Sequence, residues 1–112
     1  MILKGNYRWM FSMELLSGIL AYPLMSYLGM APGIIIAMIP FLLGIITTNA
    51  GYRADERDLQ LIHRTDSYHI ILVAVAMALI YLYFPGVNWF YSFIAAIGIS
   101  RGICGILIFL LN

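Results

Sequence analysis

The chain has 112 residues, 63% of them apolar and only 10% charged, with a formal net charge of +1. A water-soluble domain carries about 25% charged residues, so a soluble globular fold is excluded. The near-neutral charge implies no pull on nucleic acid. The composition predicts an integral membrane protein, a single domain over residues 1–112.

The first apolar run covers residues 9–28, close to the roughly 20 residues that cross hydrocarbon. Tyr7 and Trp9 stand at its start, where amphipathic aromatics favour the headgroup level. Lys4 and Arg8 resemble the basic start of a signal peptide, and Gly29-Met30-Ala31 a small-x-small cleavage site. The apolar stretch between them is too long for a signal core, and Pro32 would follow the cut. An uncleaved first helix is therefore expected. Pro23 lies inside it and predicts a kink.

Residues 29–33 predict a turn, with Pro32 at the first position of the next helix. The second run covers residues 32–48. Pro40 interrupts it and leaves the Ile36 carbonyl without its usual donor. Thr47, Thr48 and Asn49 close it, and Gly51 ends it.

Residues 52–69 hold seven of the eleven formal charges. Asp55 reads as a helix N-cap, with Glu56 and Asp58 in the first turn, where the helix dipole favours acids. Glycine and proline are absent from residues 54–84. A continuous helix over them would be about 45 Å long at 1.5 Å per residue. Its first half is expected to project into the cytoplasm, and residues 67–84 to form the third span. Tyr81 and Tyr83 mark the far interface, and Pro85-Gly86 a second short turn. Trp89 and Tyr91 anchor a fourth span over residues 88–111. The fold class is then all-α, a four-helix membrane bundle of two hairpins. Both outer turns contain Pro-Gly, which shared turn chemistry explains better than internal duplication.

Basic residues orient the chain. Lys4, Arg8, Arg53, Arg57 and Arg64 fall on one side of a four-span topology, and the opposite turns carry no charge. Both termini are expected in the cytoplasm.

Two ionisable residues lie within spans, where a charge costs about 2.5–3.5 kcal/mol or more. Glu14 shares a helical face with Ser17, Gly18, Ala21 and Met25. Arg101 sits at the edge of a small-residue face made by Ala95, Gly98, Gly102 and Gly105, whose spacings of three and four place them together. Gly98 and Gly102 form the GxxxG pattern that lets backbones approach. Gly18, Gly98, Gly102 and Gly105 are the expected helix-packing positions, and association with another chain through Gly98 and Gly102 is expected. Arg101 is expected to point toward other helices or a polar cavity. A carboxylate or a helix carbonyl, such as that of Ile36, would satisfy it there. A substrate, lipid headgroup or partner is the functional alternative. Glu14 either reaches the cytoplasmic interface, pairs with Arg101, or serves as a protonatable transport carboxyl. Counted from Arg8 and Asn112, the two sit about 7 Å apart along the bundle, and a few residues of register would close that gap.

His63, Asp66 and His69 keep a spacing of three and offer imidazole and carboxylate, which suit zinc or iron. Three ligands on one helix close a site poorly, so a solvated polar face is the expectation and no metal is assigned. Cys104 reads as a small packing residue. No phosphate loop, cysteine cluster or nucleophile–base pair is visible, so neither an enzyme nor a cofactor is expected.

The run DERDLQLIHRTDSYHIILVAVAMAL resembles small prokaryotic membrane proteins of an uncharacterised domain family. Their mark is an Asp-Glu-Arg-Asp segment entering a third transmembrane helix, here Asp55-Glu56-Arg57-Asp58, with Ile62, Ser67 and Tyr68 before the apolar run. The resemblance implies a small protein of the prokaryotic plasma membrane, with no catalytic residues to carry over. A second likeness is to small multidrug transporters, which share the length, the four spans and a first-span glutamate that Glu14 would match. The chain departs from them in its long charged segment and in Arg101. The leading expectation is a non-enzymatic membrane protein acting by contact, as a subunit of an assembly or a homo-oligomer. The alternative is a small proton-coupled exporter built around Glu14.

Overall fold

A computed structural model describes residues 6–49 and 55–111. Lys4, Gly51, Arg53 and Asn112, used above for topology and helix ends, lie outside the described residues. Within them the chain is all helical: α1 (Tyr7–Leu28), α2 (Met30–Asn49), α3 (Glu56–Tyr83) and α4 (Trp89–Leu111). Three of these, α2, α3 and α4, are long and apolar enough to cross a membrane. α1 has the length, at 22 residues, but carries Arg8, Ser12, Glu14 and Ser17 along it.

Three of the four helices, α1, α3 and α4, follow a residue whose side chain accepts from a free N–H of the first turn. The Asn6 side chain accepts from Trp9 N at 3.1 Å and opens α1 two residues earlier than the apolar run suggests. Asp55 caps α3, accepting from Asp58 N while the Asp58 side chain returns to the Asp55 N–H. This reciprocal pair satisfies two orphan donors. The Asn88 side chain accepts from Tyr91 N and starts α4.

The first turn is tighter than expected. α2 begins at Met30, so Gly29 alone joins it to α1, at φ +92°. That backbone conformation suits glycine and strains other residues. Pro32 consequently falls third in α2, where its missing N–H costs nothing because the first four N–H groups lack intrahelical acceptors. Both inner prolines are absorbed: α1 runs through Pro23 and α2 through Pro40. Beside Pro40, the Phe41 N–H donates to Ser17 Oγ on α1 at 2.9 Å.

The two hairpins, α1–α2 and α3–α4, meet through α1 and α4, leaving α2 and α3 on the flanks. The resulting molecule is a slab of 43 × 28 × 16 Å. Its core has two centres. Toward the start of α1, buried Tyr7, Met10 and Phe11 gather Ile45 of α2, Ile62 of α3, and Ile106 and Phe109 of α4. Tyr7 stacks on Phe109 with ring centroids 5.3 Å apart. Toward the opposite end, Ala21, Met25, Ala37 and Ala95 form a second cluster from α1, α2 and α4 only. All four helices therefore converge at one end, and α3 stands apart at the other.

α3 is continuous across 28 residues, as the sequence predicts. Its first half does not project freely, however. Leu61 and Thr65 are buried and Ile62 packs into the first cluster, so these turns dock on the other helices. The apolar residues facing outward are large: Ile35 and Ile46 on α2, and Ile70, Ile71, Tyr81 and Leu82 on α3, are each more than half exposed. Such an apolar exterior matches a lipid surrounding rather than water.

Candidate functional site

The site is built on the contact between α1 and α4. A Cβ added at Gly18 would sit 2.5 Å from the Ile99 backbone nitrogen and 2.8 Å from the Gly98 carbonyl carbon. One added at Gly98 would sit 2.8 Å from the Gly18 Cα. Only glycine at both positions permits this approach. Gly102 packs on Leu15 in the same way, and Gly105 on the Phe11 ring. The small-residue face of α4 is therefore occupied by α1 of the same chain. Contrary to the sequence expectation, it is not open to a second chain, because the approach it permits is already made within the molecule.

That close crossing brings Glu14 and Arg101 together. Arg101 Nη1 donates to Glu14 Oε2 at 2.6 Å. Arg101 Nε donates to Asp66 Oδ1 of α3 at 2.8 Å. One guanidinium thus ties three helices, serving two carboxylates. The Arg101 guanidinium carbon also lies 5.1 Å from the centre of the Phe11 ring, within cation–π range. The side chain of Glu14 is 6% exposed and that of Arg101 20%, whereas Asp66 keeps 44%. The network runs from a partly exposed carboxylate at the α3 flank to a buried one on α1.

Arg101 takes carboxylates as partners, not the Ile36 carbonyl, because α2 lies on the far side of α1. The axial gap inferred between Glu14 and Arg101 is closed by the register of the two helices, which sets Gly98 and Gly102 of α4 against Glu14 and Leu15 of α1. Asp66 is the residue sequence reasoning misplaced. Its spacing groups it with His63 and His69, but the fold turns it toward α4. Among the described residues no group of His, Cys, Asp and Glu is placed to hold a metal ion. His63 is exposed, and His69 is half-buried with Nδ1 shielded and without a hydrogen-bond partner. Cys104 is a free, buried thiol.

One concavity borders this network and another lies away from it. A cavity of 250 Å³ lies between α2 and α4 over α1, with Glu14 and Ser17 in its lining. A shallower apolar groove of 610 Å³ lies at the far end, where Met77 and Tyr81 of α3 face Val87 and Trp89 beyond the turn.

No family model, curated protein or solved structure matches the chain. Its functional reading therefore rests on its own residues.

Proposed function

We propose that the chain is a small four-span membrane protein with both termini in the cytoplasm. It acts by helix–helix contact, as a subunit of a membrane assembly or as a homo-oligomer. The observation that carries this reading is the thin attachment of α3. Of its 28 residues only Leu61, Thr65 and Met77 are buried, and beyond the first cluster it rests mainly on α4. A long helix held along one narrow stripe presents most of its circumference to a neighbour. Packing, not hydrophobicity, drives association in lipid, and a free helix flank offers the surface for it. Orientation is supported by Arg8, Arg57 and Arg64, which lie at the end where α1 and α3 begin, while the turns at Gly29 and Pro85 lack charge.

A proton-coupled carrier would need a first-span carboxylate free to gain and lose a proton. Glu14 is engaged by Arg101, which favours the contact reading. The test is purification in mild detergent with mass determination, together with crosslinking in native membranes through Val75→Cys on the exposed face of α3. The expected result is a particle heavier than the 12.6 kDa protomer, and a crosslinked product. A monomer in both measurements would overturn the proposal.

A further inference from the structure

The charged half of α3 sorts its charges by side. Most carboxylates there and beside it are already engaged. Asp55 and Asp58 exchange the bonds of the cap, and Glu14 and Asp66 both hold Arg101. Glu56 stands in the first turn, where the helix dipole favours an acid. Arg57 and Arg64 are different. Both are exposed, and neither forms an ion pair among the described residues. Neither has an acid three or four residues away in the sequence, so no pairing along the helix is open to them.

The two arginines are seven residues apart and share a side of α3. Tyr68, Leu72, Val75 and Leu79 follow Arg64 at spacings of four, four, three and four, which keeps them on that side. All six residues are exposed. Asp66 lies about 160–180° round the helix from both arginines at 3.6 residues per turn, so its charge faces elsewhere. The side therefore reads, from the start of the helix inward, as two unpaired cations, an amphipathic ring and an apolar track.

Depth gives this order a meaning. Arg64 and Tyr81 are separated by about 26 Å along the helix, close to the roughly 30 Å thickness of a hydrocarbon core. With Tyr81 at one headgroup level, Arg64 falls at the other. Helical side chains tilt toward the helix start, which carries the Arg64 guanidinium outward to the phosphates. Tyr68 is one turn deeper, and Leu72 to Leu79 run beside the acyl chains.

Charge narrows the occupant. A second copy meeting this side across a two-fold axis would set Arg57 and Arg64 against their own images. A water-soluble anion would leave the apolar track unused. A zwitterionic lipid brings a cation with its phosphate and gains little from two more. We infer that this side of α3 binds an anionic phospholipid, with its headgroup against Arg64 and Arg57, its glycerol beside Tyr68 and one acyl chain along Leu72, Val75 and Leu79. The site belongs to the single protomer and stands whether or not the chain associates. A neighbour close enough to crosslink through Val75 would share its seam with this lipid.

The experiment uses the full chain at one copy per phosphatidylcholine nanodisc. Cys104→Ala removes the native thiol, and Leu72→Cys carries a bimane label. Quenching is followed as doxyl-labelled phosphatidylglycerol or doxyl-labelled phosphatidylcholine is added. Phosphatidylglycerol should reach half-quenching at a mole fraction lower by about fivefold or more, the factor that one arginine near the headgroups supplies. A label at Leu42→Cys, on the exposed face of α2, should respond equally to both lipids. Arg64→Gln should remove most of the preference and Arg57→Gln with Arg64→Gln all of it, whereas Arg8→Gln should leave it intact. Both arginines are exposed, so these variants keep the fold. Equal quenching by the two lipids at Leu72→Cys, the same preference at Leu42→Cys, or a preference that survives loss of both arginines would each overturn the site. Quenching by neither lipid would show that another helix covers this side, and would overturn it too.

Discussion

At the scale of single residues, Arg101 carries the most consequence. Removing it strands two carboxylates, one of them buried. Breaking a buried pair from one side costs about 3–5 kcal/mol, because the remaining charge is left without compensation. Arg101→Gln should therefore lower thermal stability in detergent sharply. Glu14→Gln should cost less, since the amide oxygen still accepts from the guanidinium and Asp66 remains to balance it. The double variant should lose less than the sum of the two, and strictly additive losses would show that the pair is not coupled. Asp66→Asn is expected to cost less, about 1 kcal/mol, as its carboxylate is partly exposed. A melting series over these four variants checks the order.

At the scale of elements, the α1–α4 crossing and the start of α3 each make a prediction. Gly98→Leu drives a side chain into the Gly18 backbone, and overpacking of this kind costs about 1–3 kcal/mol or more. The expected outcome is loss of folded protomer on heating, at unchanged particle mass below the transition. Dissociation of an intact oligomer without protomer destabilisation would instead place the glycine face between chains. For α3, Asp55→Ala removes the cap and should cost about 0.5–2 kcal/mol. Hydrogen exchange at the amides of Arg57 and Asp58 should quicken, while those near Thr65 stay protected by its burial. Equal protection before and after the substitution would mean that the cap is idle. Docking of Leu61, Ile62 and Thr65 explains why this polar-flanked stretch stays helical without any span around it.

At the scale of the whole molecule, convergence at one end and divergence at the other set the topology. Tyr7, Met10 and Phe11 draw in all four helices, and Arg8, Arg57 and Arg64 lie toward that end. Reporter fusions at the C-terminus and at Gly86 should place the first in the cytoplasm and the second outside. An extracytoplasmic C-terminus would refute the four-span arrangement. The far end stays open because α3 rests there mainly on α4, and Tyr81, Tyr83 and Trp89 stand outward at the level expected of interface aromatics.

Length and apolar runs by themselves determined the helical class, the four elements, the Asp55 cap and the membrane setting. These depend on local signals: hydropathy, capping chemistry and the absence of glycine and proline from residues 54–84. Gly98 and Gly102 were legible as a packing face for the same reason, since the spacing that aligns them is helical geometry. What that face packs against was not legible, because any helix with a small-residue stripe would serve, and the tertiary structure chose α1 of the same chain. Asp66 shows the limit most plainly. Its neighbours in sequence, His63 and His69, share its side of α3, but only the crossing of α3 on α4 decides that its partner is Arg101, 35 residues away. The cavity beside Glu14 arises likewise from the placement of α2 and α4 over α1, which no single segment encodes.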